Sequence, residues 1–422
     1  MSLKISGKGW WWGRIAPKLR ERWTAHGALL LRIAVVLVAI GTLLRLLRVF
    51  QDLLWDLGPG SAGDLKSRHL EVHTWFAGLP IYETIETADY PPASYAILWP
   101  FLGWLPLTPA RWFWGATILA ALGTLAYVWA HLDKPGATLR WLFVAFIPFA
   151  GYPTAAVIGL GQLTIHTLAA LAAGLFLLHR GRGRWWEDVL AAGLLILSLA
   201  KPTVTAPFFW LVLFLPGRLR PMALVLLGYL ALTLCAVYFQ DASLPELIRG
   251  WLGHESKISL DKGYINLSGW LATAGFEKAI VPVALLTLLG LGAWAWLHRA
   301  VDYWLLVGII GLATRFWIHH RAQDDLLILF PMIALLRLAK QPSTSDGRDV
   351  TAGLLFALNW ITLMAPTDLL GRFPVLTRLK MIWMGSLWAM SLLFLLSQAW
   401  KERAGISNIL RRERLRPSEV ST

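Results

Sequence analysis

Apolar runs of 15–24 residues recur from residue 27 to residue 399 of this chain. Each is the length a helix needs to cross a hydrocarbon layer about 30 Å thick. Lipid offers the backbone no hydrogen-bond partners, so a crossing segment must satisfy its own N–H and C=O groups, as helices and closed barrels do. Barrel strands would alternate apolar and polar residues with a period of two, and these runs do not. The expectation is an all-α polytopic membrane protein. Only 15% of residues are charged and 57% are hydrophobic, whereas soluble domains are about a quarter charged. The 25 Trp residues suit membrane interfaces, where an amphipathic ring is favoured. The first run begins near Gly27 after a basic tail; it is too long for a removed signal peptide, lacks a small-residue cleavage site, and reads as a signal anchor. The single Cys235 excludes an intrachain disulfide and a cysteine-based metal cluster.

Formal net charge is +14, but the bases sit in short loops and tails beside the runs. That placement marks topology, not a nucleic-acid partner. Lys4, Lys8, Arg14, Lys18, Arg20 and Arg22 lie in the N-terminal tail 1–26, and Lys401, Arg403, Arg411, Arg412, Arg414 and Arg416 in the C-terminal tail 400–422. Arg180, Arg182 and Arg184 form a basic loop, Arg218 and Arg220 another, and Arg337, Lys340 and Arg348 a third. By the positive-inside rule these are cytoplasmic. Eight runs follow Arg184, near 188–200, 203–216, 221–240, 280–298, 302–318, 323–338, 350–365 and 378–399. They return the C-terminus to the inside. The run 27–50 leads out, so an odd number of crossings must fall between 51 and 180, where four runs compete: 93–107, 111–131, 138–158 and 160–179. The shortest, 93–107, is broken by Pro100 and Pro106 and reads as lying in the outer interface. The result is one membrane domain, 27–399, with about 12 crossings, external loops at 51–110 and 241–279, and both termini cytoplasmic in a multi-pass protein, expected in a bacterial inner membrane.

The stretch 51–92 reverses the charge bias, with seven acids (Asp52, Asp56, Asp64, Glu71, Glu83, Glu86, Asp89) against Lys66 and Arg68. Asp64 follows a flexible Gly58-Pro59-Gly60-Ser61-Ala62-Gly63 stretch that can bring it near the membrane surface. The other six acids read as surface, capping or positioning groups. The segment D-L-K-S-R-H-L-E-V-H-T-W-F-A-G-L-P-I-Y and, eight residues later, Y-P-P resemble the first external loop of glycosyltransferase family 87, of the GT-C superfamily. The Asp64-to-Gly78 spacing, Leu65 after the acid and the Pro80-Ile81-Tyr82 turn fit; Arg68 and His69 stand where members often carry Tyr, which leaves the sugar and acceptor open. G-L-G-Q at 159–162, A-A-G-L-L-I-L-S-L-A-K-P at 191–202 and H-H-R-A-Q-D-D-L-L-I-L-F-P at 319–331 continue the resemblance in order. It implies a GT-C-like bundle, Asp64 as the catalytic base, and Tyr82, Tyr90 and Gln162 near the substrate.

Lys201 interrupts an apolar stretch at Pro202. A charge there costs several kcal/mol unless it is paired or reaches a polar cavity. It is therefore a candidate donor-phosphate contact, the alternative being a lysine snorkelling to the interface. His319, His320 and Arg321 form a basic cluster followed by Asp324 and Asp325. His320 and Arg321 are candidates for phosphate, His319 for substrate, and Asp324 for orienting a histidine; a structural ion-pair network is the alternative. Adjacent histidines chelate poorly, and no metal is expected. In the loop 241–279, Asn266 and Ser268 are candidates for sugar hydroxyls, Trp251 and Trp270 for sugar faces.

The reading is an inverting transferase that moves a sugar from a polyprenyl-phosphate donor to a lipid or glycan acceptor at the outer face. The resemblance implies mannose, with arabinose used by relatives. Membrane lipids are its other partners and no cofactor is needed. The alternatives are a transporter or flippase for a lipid-linked sugar, or a glycan ligase or polymerase.

Overall fold

The computed structural model describes residues 12–56, 58, 60–131, 145–214, 219–258, 265–341, 347–365 and 374–415. Lys4, Lys8, Arg218, Arg416, residues 138–144 of one expected span and residues 259–264 of the second external loop lie outside the described residues. Every regular element among the described residues is helical. Five segments are long and apolar enough to cross a membrane: Arg32–Leu54, Leu107–His131, Leu219–Val237, Glu277–Leu297 and Val375–Gly405. Leu37, Leu44 and Leu47 on the first stay exposed, as side chains facing lipid can.

We label the principal helices α1 (Trp12–Leu54), α2 (Gly63–Phe76), α3 (Pro92–Leu102), α4 (Leu107–His131), α5 (Tyr152–Leu160), α6 (Thr164–Arg180), α7 (Trp185–Ser198), α8 (Leu219–Val237), α9 (Leu244–Ile258), α10 (Ile280–Leu297), α11 (Tyr303–Trp317), α12 (Leu329–Ala339), α13 (Arg348–Met364) and α14 (Pro374–Leu415). α6 packs on α4 and α7, α8 on α3 and α7, and α12 on α11 and α13. Two further apolar segments are bent pairs: α5 meets α6 at 119°, and α7 meets the short helices of 202–214 at 118°. If each pair is one span, up to seven segments among the described residues qualify. Twelve crossings are therefore not established by helix length. The expected spans 188–200 and 203–216 are two arms of one bent unit, and α11, α12 and α13, at 15, 11 and 17 residues, are short for a bilayer. The run 93–107 yields only the 11-residue α3, with Pro100 inside it.

Both bends have local causes. At the first, Gly161 adopts φ +67°, closing α5 in the left-handed cap that glycine reaches without strain. Gly161 N–H then bonds Ile158 O, and Gln162 N–H bonds Val157 O. The Gln162 side chain accepts the Thr164 N–H at 2.9 Å and so serves the first turn of α6. At the second, Pro202 cannot continue the helix. Thr205 Oγ1 donates to Ser198 O at 2.9 Å, satisfying a carbonyl that the break leaves behind.

The acidic loop is anchored at both ends. Arg111 on α4 is buried and donates to three carbonyls at the end of α1: Leu53 O at 2.6 Å, Asp52 O at 3.1 Å and Asp56 O at 2.5 Å. α2 buries Leu65, Val72 and Trp75. Trp75 Nε1 donates to Ala236 O at 2.9 Å, and Gln240 returns a bond to Trp75 O at 2.6 Å. Ala62, just before α2, donates its N–H to Gly159 O at 3.0 Å.

Candidate active site

Four distant parts of the chain enclose one polar cavity of about 160 Å³. α2 contributes Asp64 and Arg68, and the turn after it contributes Asp89 and Tyr90. The first bend brings Gln162 and Leu163, the second Lys201 and Thr203, and the stretch between α11 and α12 supplies His319, Arg321 and Asp324. Both bends are thus places where a helix stops and turns polar groups toward one chamber.

Asp64 is half-buried and accepts no hydrogen bond within the described residues. Burial raises its carboxyl above the usual carboxylate range, while Arg68, Lys201 and Arg321 pull it back down. A base with a lone pair left unengaged, held beside three cations, is what this arrangement supplies.

Lys201 faces it across the chamber. Its Nζ lies 2.6 Å from Asp324 Oδ1 and 2.9 Å from Thr164 Oγ1, and Thr164 in turn donates to Asp324 at 2.7 Å. Asp324 Oδ2 also accepts the Arg321 N–H at 3.2 Å and lies 3.6 Å from His320 Nδ1. The lysine is therefore paired within a buried network. It does not snorkel.

A second network sits beneath Asp64. Arg68 Nη1 lies 2.7 Å from Asp89 Oδ1 and 2.8 Å from Glu71 Oε2, and Nη2 donates to Thr87 O at 2.8 Å. Its guanidinium also lies 4.3 Å from the centroid of the Tyr90 ring. Trp251 fixes the other side of this turn by donating to Asp89 O at 3.0 Å.

Three expected site residues are not at the cavity wall. His320 is fully buried, with Nε2 at 2.8 Å from Thr314 O and its other nitrogen toward Asp324. It buttresses that carboxylate and has no path to a phosphate. Tyr82 donates its hydroxyl to Tyr90 O at 2.6 Å and sets its ring against Trp75, so it shapes the turn from behind. Asn266 caps the helix Leu267–Thr273 by accepting the Gly269 N–H at 2.7 Å, and is 1% exposed. Among the described residues no group of three or more His, Cys, Asp and Glu side chains is placed to share a metal ion.

The family model described as Glycosyltransferase family 87 matches residues 89–314, more than half of the chain. The chain belongs to glycosyltransferase family 87. No curated protein and no solved structure matches it. As a family 87 member carrying several long apolar helices, it is a membrane glycosyltransferase. The matched segment includes Asp89, Tyr90, Gln162 and Lys201. Asp64 and the 319–324 cluster lie outside it, and geometry alone draws them into the same chamber.

Thr164 and Gln323 were not anticipated at the site of this family 87 chain, and Glu71 and Asp89 only among the loop acids read as surface, capping or positioning groups. Arg68 and Glu71 had a local signal, since residues three apart on a helix face one another. Burial pushes the Glu71 carboxyl up to about 8 against the pull of Arg68. This gives a stability prediction. The Glu71 carboxyl titrates at about 4.3 in an unfolded chain and at about 8 when folded. Between these values the folded protein keeps a proton the unfolded chain has lost, so stability falls as pH rises across that window. Glu71→Gln should melt like the parent near pH 4 and above it at pH 9 in detergent. A parent whose melting temperature, relative to Glu71→Gln, is unchanged from pH 4 to pH 9 contradicts a protonated Glu71.

Proposed function

We propose that this protein transfers a sugar, mannose by its family resemblance, from a polyprenyl-phosphate donor to an acceptor hydroxyl, inverting the anomeric configuration. The carrying observation is that Asp64 shares one cavity with Lys201 and Arg321, which come from α2, the second bend and the stretch after α11. The donor phosphate sits against Lys201 and Arg321, and Asp324 orients the lysine. Its isoprenoid tail lies in an apolar groove of about 250 Å³ that shares Thr203 with the polar cavity and continues along Trp251, Ile280, Ala284, Leu288 and Trp317. Tyr90, Gln162 and His319 line the space left for the sugar.

In the reaction the acceptor oxygen attacks the anomeric carbon opposite the phosphate. The C–O bond to phosphate breaks as the new glycosidic bond forms, and Asp64 takes the hydroxyl proton. The electron pair leaves on the phosphate, whose charge the cations stabilise, so no separate general acid is required. No cofactor or metal enters. The basic tails and loops support an outward-facing site with both termini in the cytoplasm.

A flippase for a lipid-linked sugar would share the groove and the cations, but not an unengaged carboxylate beside the phosphate. Purified protein incubated in detergent with a polyprenyl-phosphate sugar and acceptor glycosides decides between them. Glycoside product formed without any gradient is the expected result. Donor that stays intact with every acceptor, yet crosses the bilayer of proteoliposomes, would favour the flippase.

A further inference from the structure

Helix α9 touches both the donor groove and the turn beside the base. Trp251 and Leu252 line the groove. The same Trp251 indole donates its N–H to Asp89 O at 3.0 Å. One residue earlier, Gly250 lies so close to Tyr82 that an added Cβ would come within 3.1 Å of the ring. Tyr82 in turn donates to Tyr90 O at 2.6 Å. Two successive carbonyls, Asp89 O and Tyr90 O, are thus held from α9, one directly and one through Tyr82. Pro91 and Pro92 follow and carry no N–H, so this turn leans on side chains for its support.

That turn is what holds Arg68. Asp89 Oδ1 takes its guanidinium at 2.7 Å, the Tyr90 ring lies 4.3 Å from it, and Thr87 O accepts from it at 2.8 Å. Arg68 stands one helical turn beyond Asp64 on α2, and both line the chamber. A continuous path of contacts therefore runs from the wall of the donor groove to the base: indole, turn, guanidinium, carboxylate. The phosphate cations Lys201 and Arg321 come from other elements and are not on it. A second indole in the groove sets the contrast. Trp317 donates to Ala284 O at 2.7 Å, and Ala284 is part of the groove's own wall. The Trp251 bond instead leaves the groove for a residue of the polar chamber. An isoprenoid packed against that indole narrows the positions open to it, and hence those open to the turn.

We infer that Trp251 is a positioning residue through which an occupied donor groove fixes the Asp89–Tyr90 turn, and with it Arg68 and Asp64, for transfer. The inference rests on the transferase reading above, but its first test needs no turnover. The full chain in phosphatidylcholine nanodiscs is given polyprenyl phosphate carrying a diazirine in its tail. Cross-links report whether the groove is filled, and hydrogen–deuterium exchange reports the turn. In the parent, label is expected on 280–288, with exchange across 84–90 slowed about fivefold by the lipid, the worth of one neutral hydrogen bond. Trp251→Phe keeps an aromatic wall and drops the N–H, so it should keep the label and lose the slowing. In the transfer assay it should lower kcat about fivefold at the parental donor KM, whereas a residue that only packs against the tail would move KM. Slowing that persists in Trp251→Phe would come from the phosphate itself and would overturn the inference, as would a labelled parent whose turn exchanges equally with and without the lipid. If Trp251→Phe does not fold, polyprenol decides in the parent: slowing by the tail alone supports the path, and slowing that requires the phosphate refutes it. A parent without label on 280–288 takes the tail out of this groove and the inference with it. None of these outcomes bears on Asp64→Asn, whose loss of transfer tests the catalytic reading separately.

Discussion

Asp64→Asn should insert, purify and melt like the parent while transferring sugar ~10²–10⁴-fold more slowly, the usual worth of a positioned general base. The expectation of unchanged stability is specific. The Asp64 carboxylate accepts no hydrogen bond within the described residues, so the isosteric amide removes a charge without orphaning a partner. It also relieves the desolvation that raises this carboxyl. The base must be ionised to act, so the acid limb of the pH profile of kcat/KM should report Asp64. Arg68 holds that carboxyl down more than any other cation. Arg68→Ala should therefore move the acid limb to higher pH, whereas a purely structural role for Arg68 would lower activity without moving it. Purified Asp64→Asn turning over at the parental rate would remove Asp64 from the chemistry.

Lys201 and Asp324 should show the opposite pattern: loss of stability together with activity. Both side chains are less than a tenth exposed and stand 2.6 Å apart. Removing one partner of a buried pair leaves an uncompensated charge and costs ~3–5 kcal/mol. Lys201→Met and Asp324→Asn should each lower the melting temperature in detergent. The double variant should recover much of the loss, because pairs in contact couple by about 0.5–3 kcal/mol. It should not recover donor KM, since the lysine is gone. Measuring both quantities separates pairing from phosphate binding. Single variants that melt with the parent would show that the pair contributes little; a double variant with parental donor KM would take Lys201 off the phosphate.

Apolar length carried most of the architecture. The expected spans 221–240 and 280–298 appear as Leu219–Val237 and Glu277–Leu297, and 378–399 falls inside Val375–Gly405. The bends did not show as bends. Gly161 and Lys201-Pro202 are visible interruptions, but an interruption tells where a helix stops and not the angle at which the next begins. At the site, Asp64, Tyr90, Gln162, Lys201, His319, Arg321 and Asp324 do line one chamber. His320 was misjudged because 319–321 is not helical, so no periodicity tells which of three adjacent basic residues faces the chamber. Arg68 looked like a departure from a family pattern. Its partner Asp89 lies 21 residues away and is found only once the turn folds back on α2. Asp89 and Glu71 both pair with Arg68, and Asp56 caps the Gly58 N–H at 2.8 Å.

The contact between α2 and the first bend has a mechanical consequence. A Cβ at residue 161 would lie 2.6 Å from Leu65 Cβ, so the loop helix rests flush on bare backbone, with the Ala62 amide clasped to Gly159 two residues away from that seat. The bilayer-embedded scaffold is thus the datum from which the depth of Asp64 is gauged. Lengthening or shortening the chain between Asp56 and Ser61 would slacken or tighten a tether without lifting the base off its mark.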